Sequence, residues 1–214
     1  MITIRNEMPA DYAAVEALTR EAFYNMYMPG CVEHYLVHVM RGHKDFVSEL
    51  DFVLELDGTI IANVMYTRAT LTDETGTVKE GLTLGPVCVA PTHQRQGYGR
   101  MIMEHSFEAA RALGYEVVVL FGSPANYVAR GFVSAHKHQV CAENGRYPAA
   151  MLVKLLEKDA LAGHTWVYRD SPVMAIDEAK AAAYDATLPV MEKCWQPSQE
   201  EFYILSQTFF DQKA

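Results

Sequence analysis

The stretch 85-GPVCVAPTHQRQGYGR-100 decides how this chain is read. An apolar strand ends at Pro91. A polar loop then carries Gln94-Arg95-Gln96-Gly97-Tyr98-Gly99 to the start of a helix. Physically this is an anion site. Glycine lets backbone N–H groups turn inward and approach a ligand closely. The helix N-terminus adds its dipole, and Arg95 and Arg100 add charge. A diphosphate is a natural guest. The plainer alternative is a glycine-rich turn with solvated arginines, since short Gly-x-Gly turns are common. No Gly-Lys-Ser/Thr follows, so this is not a Walker A loop, and the third glycine of the dinucleotide fingerprint is missing.

Downstream, residues 98–113 predict a helix with Ile102, Ala109, Ala110 and Leu113 inward, ending at Gly114. EVVVLF at 116–121 is a continuous apolar run, as in a strand buried on both faces. A short helix near 124–130 precedes Gly131-Phe132, and a strand near 149–156 follows. His136 and His138 alternate on what reads as a strand with one solvated face. Upstream, FVLEL (52–56) and IIANVMYTR (60–68) flank Asp57-Gly58-Thr59, a hairpin signal. TDETGT (72–77) is a turn cluster, and the strand that ends at Pro91 begins near 81.

Residues 2–5 read as a short strand. Pro9 suits a helix start, and Val15, Leu18, Ala22 and Met26 then recur at helical spacing until Pro29-Gly30. A second helix places Val32, Tyr35, Leu36, Val39 and Met40 on one face and Glu33, His34 and Arg41 on the other. Hairpins come first and strand–helix–strand later, which predicts a layered α/β fold rather than a regular Rossmann alternation. From about residue 157 the pattern weakens. The tail's Trp166, Tyr168, Tyr184, Trp195 and Phe202 predict an appendage that packs on the main body.

Composition sets limits. The 214 residues suit one domain with a sizeable core, and 50% hydrophobic with 21% charged residues is a globular balance. The net charge of −9 argues against general nucleic-acid binding, which needs clustered Lys and Arg, yet permits a local basic pocket. Cys31, Cys88, Cys141 and Cys194 form no C-x-x-C. The N-terminus MITIRNEMPADY has no apolar signal core, and no run approaches the ~18 apolar residues of a membrane span. The expected setting is the cytoplasm, with no membrane and no nucleic-acid partner.

The Q-x-x-G-x-G pattern after V-x-V-x-P resembles motif A of the GNAT family of acetyl-CoA-dependent N-acyltransferases. EHYLVHVMRG, LGPVCVAP, the strand leading into GSPANYVARGF, and PAAMLVKLLEKDALAG are similar to the bacterial, YhbS-like branch. The resemblance covers most of residues 2–163, and it implies a GNAT domain at 1–163 with a C-terminal extension at 164–214 packed on it. It implies a central mixed, mostly antiparallel sheet flanked by helices, with strands splayed at the cofactor site. It further implies acetyl-CoA as co-substrate, no metal, and direct attack by a primary amine of a small molecule or peptide.

For individual residues, the resemblance implies that Val87, Cys88 and Val89 border the pantetheine arm. The Gln94–Gly99 loop (Gln94, Arg95, Gln96, Gly97, Tyr98 and Gly99), with Arg100, would hold the pyrophosphate. The Val89 N–H would polarise the thioester carbonyl, and Asn126 would help bind the cofactor. Tyr127, in Y-x-x-x-G-F, would protonate the departing thiolate; a phenol with a pKa of roughly 10 suits that task. Without the motif, Tyr127 would read as a packed helix-face residue. Cys88 reads as a strand residue and not a covalent carrier.

Departures from the pattern fall at Ser123, Asn126, Ala129 and Arg130, where relatives often carry Asp, Tyr, Arg and Phe. Acceptor identity is therefore not transferable. Glu80 is a candidate base, though a solvated strand-edge carboxylate is the plainer reading. His34 and His38 share a helix but lack further metal ligands, so surface or acceptor-cleft roles fit them better. FYNMYM (23–28) suggests an acceptor pocket or simply core. Ser123 lacks the second glycine of a nucleophile elbow. A non-catalytic acyl-CoA sensor with the same fold is the competing reading, and the aromatic tail suits a homodimer interface under either.

Overall fold

The chain enters through β1 (Ile2–Asn6) and crosses one face as α1 (Tyr12–Phe23) and α2 (Glu33–Met40) before its period changes to that of strands. β2 (Phe52–Leu56) and β3 (Thr59–Asp73) form the expected hairpin, with Asp57 and Gly58 at φ 52° and 82°. β4 (Val78–Val89) returns along the other edge of β3, and α3 (Tyr98–Ala112) follows the glycine-rich loop. Next come β5 (Val117–Phe121), α4 (Pro124–Tyr127), β6 (Val133–Ser134), β7 (Val140–Ala142), β8 (Tyr147–Pro148) and β9 (Met151–Leu155). The tail contributes β10 (Trp166–Arg169), α5 (Glu178–Asp185), α6 (Pro197–Gln207) and β11 (Phe209–Phe210). This computed structural model describes residues 1–211.

The main sheet runs β1-β2-β3-β4-β5-β9-β6, with β10 added to the far end of β3 and β7 added to β10. Among the described strands all pairs in it are antiparallel except β4 with β5 and β10 with β7. The layered, mostly antiparallel arrangement is the one expected. Its functional feature is a wedge. β4 and β5 pair only at Leu82↔Val118 and Thr83↔Val119. Beyond that point β4 follows β3 to Val89, while β5 follows β9 to Phe121. Two adjacent strands therefore diverge and leave an unpaired edge on β4.

Core residues alternate along β4. Leu82 and Leu84 join Ile102, Met103 and Phe107 on the α3 face, with Val87 and Val89 packed beside them. On the opposite face Val15, Leu36, Val37 and Met40 of α1 and α2 cover Val53 and Met65. No helix among the described residues is long and apolar enough to cross a membrane.

Several expectations need correction. Met26 lies outside α1, because the helix ends at Phe23 and Asn25 takes a left-handed φ of 61°. The Asn25 amide then organises the loop, accepting from the N–H groups of Gly30 and Cys194. Leu113 is exposed, since it caps α3 just before Gly114 turns at φ 87°. His136 and His138 sit in a 3-10 turn, Ala135–His138, and not on a strand. His34 is fully buried: α5 covers the polar face of α2, bringing the Tyr184 ring to 5.5 Å and Asp185 Oδ1 to 3.3 Å. His38 remains exposed and stacks on Tyr184.

The segment from 164 onward begins inside the sheet, since β10 pairs with Leu71 and its neighbours and buries Trp166 and Tyr168. The remainder straps the molecule. Arg20 binds Asp185 and the Pro189 carbonyl, and the Tyr24 hydroxyl donates to the Met191 carbonyl. Tyr184 donates to Glu16. At the far end β11 pairs with β8.

Candidate active site

The loop after β4 takes its shape from two left-handed residues, Arg95 at φ 62° and Gly97 at φ 95°. Alternation between left- and right-handed backbone gathers successive N–H groups into a concave anion cradle. Gly97 caps α3, so the orphan amides of the first helical turn open onto the same place. Gly99 lets the helix approach β4 closely: a Cβ there would sit 3.3 Å from Val89 Cγ2. Two glutamines brace the loop. Gln94 Nε2 donates to the Val89 carbonyl and Gln96 Nε2 to the Thr92 carbonyl, each at 3.1 Å.

The unpaired edge of β4 faces this loop. Ala90 N–H donates to the Ile61 carbonyl across on β3. Successive backbone groups of a strand alternate in direction. The N–H groups of Val87 and Val89 consequently point away from β3, into the wedge.

A cavity of about 370 Å³ unites these parts. Val87, Cys88, Val89, Gln94, Arg95, Gly97, Gly99, Arg100, Asn126 and Tyr127 all line it. Gln96 and Tyr98 do not; Gln96 braces the loop and Tyr98 packs toward the core. Glu80 stands apart from it as well. It is exposed, lies 3.8 Å from Arg68, and precedes Val87 by seven residues of strand, roughly 23 Å at a rise near 3.3 Å per residue. It is thus the solvated strand-edge carboxylate that the plainer reading expects.

The lining contains Arg95, Arg100 and Arg130 and no carboxylate. Arg130 Nε is buried without a hydrogen-bond partner among the described residues. An orphaned guanidinium nitrogen and a cradle of amides fit a polyanion, which would supply the missing acceptors. Sequence reading marked Arg130 only as a departure from the expected pattern. Phe23, Met26 and Tyr27 complete the wall opposite α3, so part of FYNMYM does face the cavity. The tail reaches this wall too: the Phe202 ring lies 4.6 Å from that of Tyr27, and Ser198 and Gln199 hold the Met26 and Asn25 carbonyls.

Tyr127 rests on Gly122, where an added Cβ would lie 2.7 Å from ring Cε2. Its edge-on contact with Phe132 is 5.9 Å between centroids. Burial, and then the neighbouring Tyr27, raise its phenol above the ordinary range, so it stays protonated at neutral pH. Burial likewise pushes the Cys88 thiol up to about 11. The Cys88 sulfur faces Thr19 on α1, and a thiol held neutral is a poor nucleophile. Ser123 sits at the N-cap of α4, with no His or carboxylate hydrogen-bonded to it among the described residues. Among the described residues no His, Cys, Asp and Glu group could hold a metal.

The mostly antiparallel sheet, opened beside a glycine-rich loop at the start of a helix, places the chain among the acetyltransferases. Residues 16–137 match the Acetyltransferase (GNAT) family, and the chain belongs to that family. It is 29% identical over 163 residues to a protein of Escherichia coli (strain K12) described as uncharacterized N-acetyltransferase YhbS; the match spans 76% of this chain and 92% of that one. The crystal structure of Escherichia coli YhbS in complex with CoA superposes with a TM-score of 0.70 at 27% identity, covering 82% of this chain and 92% of that chain. A GNAT family acetyltransferase from Brucella melitensis, solved with acetyl-CoA, has the same fold, with a TM-score of 0.64 at 22% identity over 81% of this chain and 98% of that one.

Proposed function

We propose that this protein transfers the acetyl group of acetyl-CoA to a primary amine of a small molecule or peptide by direct attack. The observation that carries the reading is a single cavity lined by the β4 edge, the amide cradle, three arginines and Tyr127. In this reading the Gln94–Gly99 amides, with Arg95 and Arg100, bind the pyrophosphate. Val87 and Val89 border the pantetheine arm as an added strand would. The Val89 N–H donates to the thioester oxygen as it gains charge, a contribution of about 3 kcal/mol in comparable sites. Asn126 contacts the arm from α4. Tyr127 gives its proton to the departing thiolate. We further propose that residues 1–163 form the catalytic unit, that 164–214 act as its brace, and that the enzyme works in the cytoplasm.

Calorimetric titration with acetyl-CoA tests the cofactor assignment. Saturable one-site binding is expected, and Gly97→Glu should abolish it by placing a carboxylate in the cradle. Release of free CoA with a panel of primary amines then tests transfer. Tyr127→Phe separates an enzyme from an acyl-CoA sensor: turnover falls while binding holds if the phenol is the acid. Unchanged CoA release by this variant removes that role.

A further inference from the structure

The wall of the cofactor cavity opposite α3 is apolar and comes from one short segment. Phe23 ends α1, and Met26 and Tyr27 follow the left-handed turn at Asn25. All three line the cavity, with Ala22 beside them. The Phe23 and Tyr27 ring centroids are 6.0 Å apart. In the acetyl-CoA reading this wall stands at the reacting end. Ala22 packs with Cys88, the residue between Val87 and Val89 on the β4 edge. Tyr27 neighbours Tyr127 closely enough to add to the rise in that phenol's pKa.

Nothing on this wall can pair with an ammonium group. Among the described residues the whole lining holds Arg95, Arg100 and Arg130 and no carboxylate. Glu33 acts on Tyr27 through its charge, but its carboxylate accepts from the Val32 N–H at 3.0 Å and does not line the cavity. Acidic lining occurs elsewhere. A second cavity, about 330 Å³, opens beside Phe121 and is lined by Glu143 and Asp170; it shares no residue with the first.

The apolar wall is also held in place from outside. Ser198 Oγ donates to the Met26 carbonyl at 2.7 Å, and Gln199 Nε2 to the Asn25 carbonyl at 3.0 Å. Phe202 rests on Tyr27, with 4.6 Å between ring centroids, and is not itself part of the lining. Two rings and a thioether on a braced backbone make a seat for a flat apolar group. Ring pairs gain more than their buried area alone supplies, and a seat ordered in advance costs less to occupy.

We propose that the acceptor is a primary amine carried on an aromatic or similarly flat apolar body, seated against Phe23, Met26 and Tyr27, with Phe202 as a positioning residue behind the seat. This rests on the acetyl-CoA reading above. The amine enters as R–NH2, having left its ammonium proton in water, because an ammonium against this wall would lose hydration and gain no counter-ion. The nitrogen lone pair forms the N–C bond to the acetyl carbon, and the C–S bond breaks. The thiolate takes the Tyr127 proton, and a proton lost by nitrogen replaces it. The products are R–NH–acetyl and CoA thiol, with no net proton released.

Release of CoA is compared at pH 8 for 2-phenylethylamine, n-propylamine and cadaverine, which carries a second ammonium in place of a ring. Wild-type kcat/KM should be about 30-fold higher on 2-phenylethylamine than on n-propylamine, and lowest on cadaverine. Tyr27→Ala should cut the ratio of the first two about tenfold, through KM for 2-phenylethylamine. Phe202→Ala, outside the cavity, should cut the same ratio about threefold; a merely structural role would lower both amines alike and leave the ratio unmoved. Cadaverine matching 2-phenylethylamine in the wild type overturns the proposal. So does a ratio unmoved in both variants, or turnover of none of the three amines by protein that binds acetyl-CoA in calorimetry. A wild type that binds no acetyl-CoA overturns the parent reading instead, and this one with it.

Discussion

The cavity at the Gln94–Gly99 loop is walled by Val87, Cys88 and Val89 of β4, the cavity beside Phe121 by the end of β5 and Tyr168 of β10, and the two differ in charge. The first is lined by Arg95, Arg100 and Arg130 with no carboxylate. The second is lined by Glu143 and Asp170 with no Lys or Arg. A net charge of −9 describes neither. Net charge bears on solubility and encounter, whereas a ligand meets the local lining at short range, where low dielectric strengthens each contact. The difference teaches that the acidic balance of this chain is compatible with a polyanionic co-substrate, because the arginines are concentrated where the backbone already gathers N–H donors.

The cationic side offers the strongest way to break this contrast. Gly97→Glu puts a negative charge at φ 95° in the cradle, a conformation that also strains any side chain. Acetyl-CoA affinity should fall by at least 100-fold by calorimetry, while near-UV circular dichroism stays close to wild type. Next in size is Tyr127→Phe. Loss of the acid should lower kcat about 100-fold with little change in KM, the signature of an interaction made in the transition state. An equal rise in KM would reassign Tyr127 to the cavity wall.

The two cavities also differ in how far they could be read from sequence. The first is built from local segments, 87–100 and 126–130, whose glycine spacing and strand-to-helix order are visible in the chain itself. Even there Arg130 was visible only as a departure, because nothing in sequence shows that its guanidinium faces inward unpartnered. The second cavity joins Phe121 to Glu143, Tyr168 and Asp170, which no periodicity connects. β10 was invisible for the same reason: four residues of strand are recognisable only once β3 overruns β2 and leaves Thr70–Asp73 an edge to pair. His34 was placed on the solvent face because the amphipathic reading of α2 could not include α5, which arrives some 140 residues later and covers it.

A smaller effect sharpens the boundary between the cavities. Gly122 joins Phe121 of one to α4 of the other, and a Cβ at that position would collide with the Tyr127 ring at 2.7 Å. Gly122→Ala should displace the phenol by a few tenths of an ångström or more, lowering kcat about tenfold while acetyl-CoA binding remains as in the parent. Loss of cofactor binding in this variant would show that α4 moves as a unit.

The smallest predicted change tests whether the third arginine belongs to the cationic side at all. Arg95 flanks the cradle and Arg100 sits in the first turn of α3, where Glu104 already engages it at 2.7 Å. Arg130 is different: its Nη1 donates to the Ala129 carbonyl at 3.2 Å, and its buried Nε has no partner among the described residues. A buried donor left unsatisfied costs free energy that a bound anion would recover. Arg130→Gln should therefore weaken acetyl-CoA binding about tenfold, or 1.4 kcal/mol, and reduce the salt dependence of Kd. The same change should slightly raise thermal stability without ligand, since it removes an unpaired charge from the wall. Unaltered Kd with altered stability would make Arg130 a packing residue and leave the cationic lining to the loop alone.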